Sequence, residues 1–488
     1  NVKLVSSLPS ERAQSVMAEG GINAALNTKD ENDSPEEHFT DTIKAACGLA
    51  DPNAVWGMTQ AAPELVHWLL KLGVKFNMSG YDDVDLRNFG GQKKKRTAFA
   101  QSDTGKQIMT AMIDAVRRKE ASGMVERFSH HSFLTLRLCG NICCGCVIRD
   151  EYSQETVELP GDAVIVATGG MHGLFGNTTG SLSNTGEVTA ELFRLGVPLA
   201  NGEMIQYHPT TVKCGGKRML ISEAARGEGG RLFAMKDGKQ WYFMEEKYPE
   251  LGNLMPRDIT AREIWKVSHE SEVFLDMTEI SEEIISNKLS GLADDCMTYL
   301  HKDIRKEPVS VLPGIHYFMG GILVDEQHRT PIQNLYAAGE CCAQYHGANR
   351  LGGNSLLGAL YGGRVAAKSA CEQADVVDLS CATQIDFPPA SQISEIKQLN
   401  KVMQETMGVV RNENTLLNGI QTVQALTGNL PLLGMAVLKS ALARKESRGA
   451  HWREDYPKSN DDDYLKTTVA RFDGKQIQIS FVPVPERR

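Results

Sequence analysis

No stretch of this 488-residue chain approaches the roughly 20 apolar residues that a membrane-spanning helix needs, so direct helical insertion into a bilayer is not expected. A surplus of positive charge is missing too. With 52 Lys and Arg against 61 Asp and Glu, the formal net charge is −9. That argues against a nucleic-acid partner, because phosphate binding needs clustered excess cations. The one tight basic run, Lys93 to Arg96, reads as a solvated loop. There is no initiator Met and no signal-peptide pattern. The first residues, NVKLVSS, read as a strand already under way, so the true N-terminus is expected upstream. The Gly-rich first turn of a dinucleotide fold, G-x-G-x-x-G, is also absent; it would stand immediately before residue 1.

Cysteine is sparse. Eleven in so long a chain do not make a disulfide scaffold and fit a reducing compartment. Four of them, Cys139, Cys143, Cys144 and Cys146, crowd into RLCGNICCGCV without the paired C-x-x-C units of a metal centre. The Gly-Asn between two apolar stretches reads instead as strand–turn–strand with small buried thiols, so no metal is expected.

What remains is an ordinary globular composition, too long for a single core, so two or three domains are expected. Residues 1–203 alternate helical and strand patterns, as an α/β domain does. Within them, 103–119 has apolar residues at helical spacing behind a Ser-Asp-Thr start, and AVIVATGG at 163–170 reads as a buried parallel strand. Residues 204–327 carry more charge and interrupted strand-like pieces and read as an inserted α+β domain. The sheet domain resumes over 328–380, with NLYAAG as strand and 354–374 as helix. A Pro-bearing linker at 386–391 leads to a helical domain over 390–488 that ends in the strand-like QIQISFVPV.

Glycine pairs at Gly20-Gly21, Gly90-Gly91 and Gly169-Gly170 let backbone approach a planar cofactor or pyrophosphate. Beside them stand His208 in IQYHPTT, Glu223 and Arg226 three apart in ISEAARGEGG, and Arg257 at a helix start in NLMPRDIT. His316 in HYFMGG follows, then Glu340, His346, Asn349, Arg350 and Asn354 in GECCAQYHGANRLGGNSL. Singly, each has a bland alternative: a structural histidine, a surface ion pair, a capped helix, a loop. Together, two arginines and two histidines can clamp a small dianion, since Arg–carboxylate contacts are bidentate and geometrically specific. These patterns support a flavin- or nucleotide-dependent enzyme acting on an anion, and they do not name the reaction.

Read in order, SVMAEGGINAAL, FGGQKKKRTAFAQSDTG, ATGG, QYHPT, SEAARGEGG, PRD, HYFMGG, GANRLGGNSL and ESRGAHWREDYP resemble the flavoprotein subunits of fumarate reductase and succinate dehydrogenase, with L-aspartate oxidase as a close relative. The resemblance spans residues 1 to about 457. It implies a Rossmann-like FAD-binding domain, a capping domain and a helical C-terminal domain. It implies fumarate and succinate as ligands, held by His208, Ser222, His316 and Arg350, with Phe89, Gly90 and Gly352 lining the pocket. Arg257 would be the proton donor, fed through Glu223 and Arg226. FAD would meet Ser15, Gly20, Gly21, Ala167, Gly169, Glu187, Glu340, Arg350, Ser355 and Leu356. Many membrane-bound relatives attach FAD covalently to a histidine where this chain has Gln14, so a noncovalent flavin is expected. Implied partners are an iron–sulfur subunit and a membrane anchor, which would place the chain in the cytoplasm at the inner membrane face. The rival activity is L-aspartate oxidase; Asn88-Phe89 lacks the acidic residue that would meet an amino group. A catalytically idle flavin module is disfavoured, because Arg257 and His208 are both present.

Overall fold

The computed structural model describes residues 1–80, 82–374, 387 and 392–488; the linker read at 386–391 lies outside these residues apart from Phe387. The opening strand Val2–Ser6 runs parallel to Val125–Ser129. A second parallel pair joins Val164–Val166 to Leu335–Ala337, so the α/β reading of both halves holds. Ile165 is more open than a fully buried strand predicts, because it faces the cavity described below.

Helix Pro52–Leu72 shows why the flanking layer forms. Asp51 caps it, accepting from the backbone N–H of Asn53, and Pro52 fills a first-turn position whose N–H would be unpaired anyway. Its buried face, Val55, Met58, Leu65, Val66 and Leu69, recurs at helical spacing. Met58, Leu65, Val66 and Leu69 pack with Leu356 and Leu357 of helix Asn354–Gln373, each contributing about 1.5–3 kcal/mol of burial. The expected helix at 103–119 is Thr104–Ala121.

The inserted domain is α+β. Strand Ile205–Cys214 lies between Lys217–Leu220 and Leu312–Phe318, all antiparallel. A four-stranded sheet built on Arg231–Lys236 and Val273–Asp276 carries the apolar core of this part, with Leu232, Phe243, Ile264 and Leu275 fully buried. Helices Ile393–Thr406, Glu413–Val423 and Asn429–Ala443 then bundle around Leu399, Met403, Leu416 and Leu433.

Three details differ from the linear reading. The strand read at QIQISFVPV forms as Ile477–Pro483, but it does not stay within the tail: it pairs with Lys466–Phe472, which pairs with Leu199–Ala200, so a C-terminal hairpin completes a five-stranded sheet with the first part of the chain. The basic run 93–96 is only partly solvated, since Arg96 is fully buried between Asp33 at 2.8 Å and Asp41 at 3.0 Å. The cysteine hairpin His131–Cys139/Ile142–Asp150 forms as read, with Cys143 and Cys144 buried, but Cys139 is disulfide-bonded. Among the described residues no His, Cys, Asp or Glu cluster is arranged to hold a metal ion.

Candidate active site

A cavity of about 640 Å³ lies where the inserted domain faces the α/β domain, within the range of cofactor sites. Helix Glu223–Gly227, capped by Ser222, sets Glu223 and Arg226 on one side. Helix Arg257–Val267 begins behind Pro256 and presents Arg257 from its first position. Asp258 sits in the first turn and is not the cap.

Glu223 is the hub. Its Oε2 accepts from Arg257 Nε at 2.8 Å and Nη2 at 2.5 Å, so one edge of the guanidinium converges on a single oxygen. Its Oε1 accepts from the Gly90 backbone N–H at 3.1 Å and lies 3.4 Å from Arg226 Nη2. Gly90 has to be glycine for this contact: a Cβ there would stand 2.6 Å from Glu223 Oε1. Burial alone would raise the Glu223 carboxyl; the Arg257 and Arg226 guanidiniums overcome it and hold the group below its ordinary range. Arg226 is pushed down by burial, and its Nη1 donates to the Asn253 carbonyl at 2.6 Å.

Gln206 joins this hub to the far wall. Its Oε1 accepts from Arg257 Nη1 at 3.0 Å, while its Nε2 donates to the Arg350 carbonyl at 2.9 Å and Asn349 Oδ1 at 3.1 Å. Arg350 is buried over the Tyr317 ring, 4.4 Å from its centroid. Its Nε has no partner, and no described carboxylate lies within ion-pair distance. Burial, then repulsion from Arg257, pushes Arg350 down to about 9. His208 and His316 face each other edge to face, ring centroids 5.2 Å apart. Thr210 engages His208 Nδ1 and Thr179 engages His316 Nδ1, which leaves both Nε2 atoms free for a ligand. Burial first and Arg257 second hold both imidazoles far below their usual range, so they are neutral.

Of the residues picked from the sequence, His208, Ser222, Glu223, Arg257, His316, Arg350 and Phe89 line one cavity. So do Gln14, Ser15, Gly20, Gly21, Ala167, Gly169, Glu340, Ser355 and Leu356. Arg226, Gly90 and Gly352 stand just behind, against Glu223. Glu187 is not brought in; it is exposed on the first turn of helix Glu187–Arg194. Gln206 and Thr179 were not singled out. Strand alternation places Gln206 two residues from His208 on the same face, a signal that was available. Thr179 lies in a loop and gives none.

The second half of the cavity suits FAD. Its wall is built from small residues, among them Ala18, Gly20, Gly21, Ala167 and Gly169, which let backbone come close to a flat ring system. Helix Asn354–Gln373 opens onto it, and the first-turn N–H groups of such a helix are free of intrahelical partners and favour anions. Fold and site thus define an FAD-dependent oxidoreductase with an arginine- and histidine-lined region in the same cavity. The FAD binding domain family matches residues 1–356, and the fumarate reductase flavoprotein C-term family matches residues 426–487.

The chain belongs to the family of succinate dehydrogenase and fumarate reductase flavoprotein subunits. It is 37% identical to the succinate dehydrogenase flavoprotein subunit of Bacillus subtilis, covering 100% of this chain and 94% of that one. It is 31% identical to the 8-methylmenaquinol:fumarate reductase flavoprotein subunit of Wolinella succinogenes, over 100% of this chain and 88% of that one. A solved chain of E. coli quinol fumarate reductase superposes with a TM-score of 0.89 at 27% identity, covering 99% of this chain and 92% of that one.

Proposed function

We propose that this chain interconverts fumarate and succinate as the flavoprotein subunit of a larger complex. The observation that carries this reading is the charge of the pocket. Arg226 and Arg257 share the carboxylate of Glu223 and Arg350 has none within ion-pair distance, a surplus of cation that suits a dianion. Arg350 and His316 would take one substrate carboxylate, and His208 with Ser222 the other. Bound FAD supplies hydride transfer between its N5 and the dicarboxylate.

Arg257 would complete the reaction by supplying the proton. Held through two N–H groups by Glu223 Oε2 and steadied by Gln206, its guanidinium would donate a proton to the carbon next to the one that receives hydride. Glu223 and Arg226 would restore that proton; Arg257 lies 2.5 Å and Arg226 3.4 Å from the Glu223 carboxylate, which supports such a relay. Neutral His208 and His316 bind as hydrogen-bonding groups and leave the pocket's charge to the arginines. Phe89 and the buried Gly352 close the pocket against water.

Gln14 on the cavity wall cannot form the histidyl link, so the flavin is held noncovalently. Relatives named as flavoprotein subunits support partner chains, of which an iron–sulfur subunit is the one expected, and attachment to a membrane would run through such partners: among the described residues no helix is long and apolar enough to cross. The test is a steady-state assay of FAD-loaded protein with reduced viologen and fumarate. Turnover is expected, with all flavin released into the supernatant on acid precipitation. No turnover sinks the reading, and peroxide release with L-aspartate but not succinate would replace it with aspartate oxidation.

A further inference from the structure

A fourth arginine shares this cavity and takes no part in the hub. Arg218 lies on strand Lys217–Leu220, two residues past the exposed turn Gly215-Gly216 at the end of the hairpin with Ile205–Cys214. It lines the cavity together with Cys214, Met219 and Thr179. The hairpin therefore runs from solvent at its turn, past half-buried Arg218, to fully buried His208.

The guanidinium is fixed but not neutralised. Its Nε donates to Thr211 Oγ1 at 2.5 Å, and its Nη2 to the Leu312 carbonyl at 3.3 Å and the Thr211 carbonyl at 3.4 Å. It lies directly over Gly314, where a Cβ would stand 2.5 Å from Arg218 Nε, so the strand opposite leaves room for it. Every one of these partners is neutral, and no described carboxylate comes within ion-pair distance. Burial disfavours the charge, and Tyr207 offsets it only in part. Nη1 keeps its donors free. The inner groups, Arg226, Arg257 and Arg350 against Glu223, already match a dianion, so Arg218 is surplus to the reacting position.

We propose that Arg218 is a capture site for the dicarboxylate, an outer cation that draws the substrate from solvent into the cavity before the inner groups take it. This rests on the dicarboxylate reading of the pocket. A cleft lined with one sign of charge raises encounter rates, and a charge at its rim acts on association and its salt dependence more than on the bound state.

The rival role is a purely structural staple between the two strands, through Thr211 and Leu312. Stopped-flow mixing of FAD-loaded, full-length protein with malonate, a dicarboxylate that cannot react, separates the two by the change in flavin absorbance. Arg218→Gln is expected to slow association about fivefold at low salt, the difference closing by about 0.5 M, where the screening length is only a few ångströms. Dissociation should be unchanged, and Arg218→Lys, which keeps the charge without the fork, should behave like the parent. Equal slowing by both substitutions at all salt concentrations would assign the staple and overturn capture. So would an Arg218→Gln protein that matches the parent at low salt, or a change confined to dissociation. A parent protein with no malonate signal at all would overturn the dicarboxylate reading and the capture role with it.

Discussion

Two clusters of buried arginine in this molecule are neutralised differently. In the C-terminal ESRGAHWREDYP run the cations meet their match. Arg444 donates to Glu203 and to Glu446, each at 2.7 Å, Arg448 to both oxygens of Glu446, and Arg453 to both oxygens of Asp455. Their remaining N–H groups reach the carbonyls of Tyr464, Lys466 and Ala441. In the cavity, two guanidiniums, Arg226 and Arg257, share Glu223, and Arg350 has no described carboxylate within ion-pair distance. A buried cation with a full set of partners holds structure; one left short beside a cavity is waiting for a ligand. Arg411 marks the limit of the rule. It too lacks a carboxylate, yet it donates to the Gly408 and Glu203 carbonyls and to His451, and it does not line the cavity. Charge imbalance needs an adjoining space before it means function.

The strongest way to break this comparison is to damage one cluster and watch the property assigned to the other. Arg257→Lys keeps a positive charge beside Glu223 but loses the paired N–H groups on Oε2 and the link to Gln206. Turnover should fall by about 10³-fold or more while FAD affinity and the unfolding midpoint stay near the parent values. Retained activity would remove Arg257 from proton transfer. Arg444→Met does the reverse. It strands Glu203 in the interior, while Glu446 keeps Arg448, and should cost about 3–5 kcal/mol in denaturant unfolding, with turnover per folded molecule unchanged. Replacing Glu203 by Met in the same chain should recover part of that loss; no recovery would mean that packing, not charge pairing, sets the cost.

Much of this was legible in the sequence, and unevenly. The six residues His208, Glu223, Arg226, Arg257, His316 and Arg350 are separated by up to 142 positions, yet each sits in a short run with its own chemistry, and the fold gathers them. Local periodicity located the strands at 163–170 and 334–343 and the helices near 103 and 354. What it missed depends on contacts between distant segments. Nothing in KKKR says that Arg96 turns inward to Asp33 and Asp41, and nothing in QIQISFVPV says that its hairpin joins strand Leu199–Ala200. Gln206 was passed over because an amide between an isoleucine and a tyrosine looks like strand filling until its partners, Arg257 and Arg350, are known.

The smallest effect concerns the opposite imbalance, an acid short of cations. Glu19, on the turn before Gly20-Gly21, has a buried Oε2 with no partner. Burial first and the facing Asp295 second raise its carboxyl from 4.5 to about 8, with Asp103 adding and Arg87 and Ser222 opposing. Arg87 cannot neutralise it fully, since its donors go to the Glu19, Gly20 and Gln101 carbonyls. The folded protein therefore holds a proton at Glu19 that the unfolded chain releases above about 4.5. Its stabilising contribution is complete below that pH and is lost as pH rises toward about 8. The neutral His208 and His316 act in the other direction: their lowered values add stability as pH rises through the ordinary histidine range. Only the difference between parent and Glu19→Gln isolates the carboxyl. Going from about pH 5.5 to 7.5, the parent should lose about 1–2 kcal/mol relative to the variant, less than the full shift because Glu19 is half-exposed. Parallel stability curves for the two proteins would show that Glu19 is ionised throughout, which would require a cation beside it that the structure does not place there.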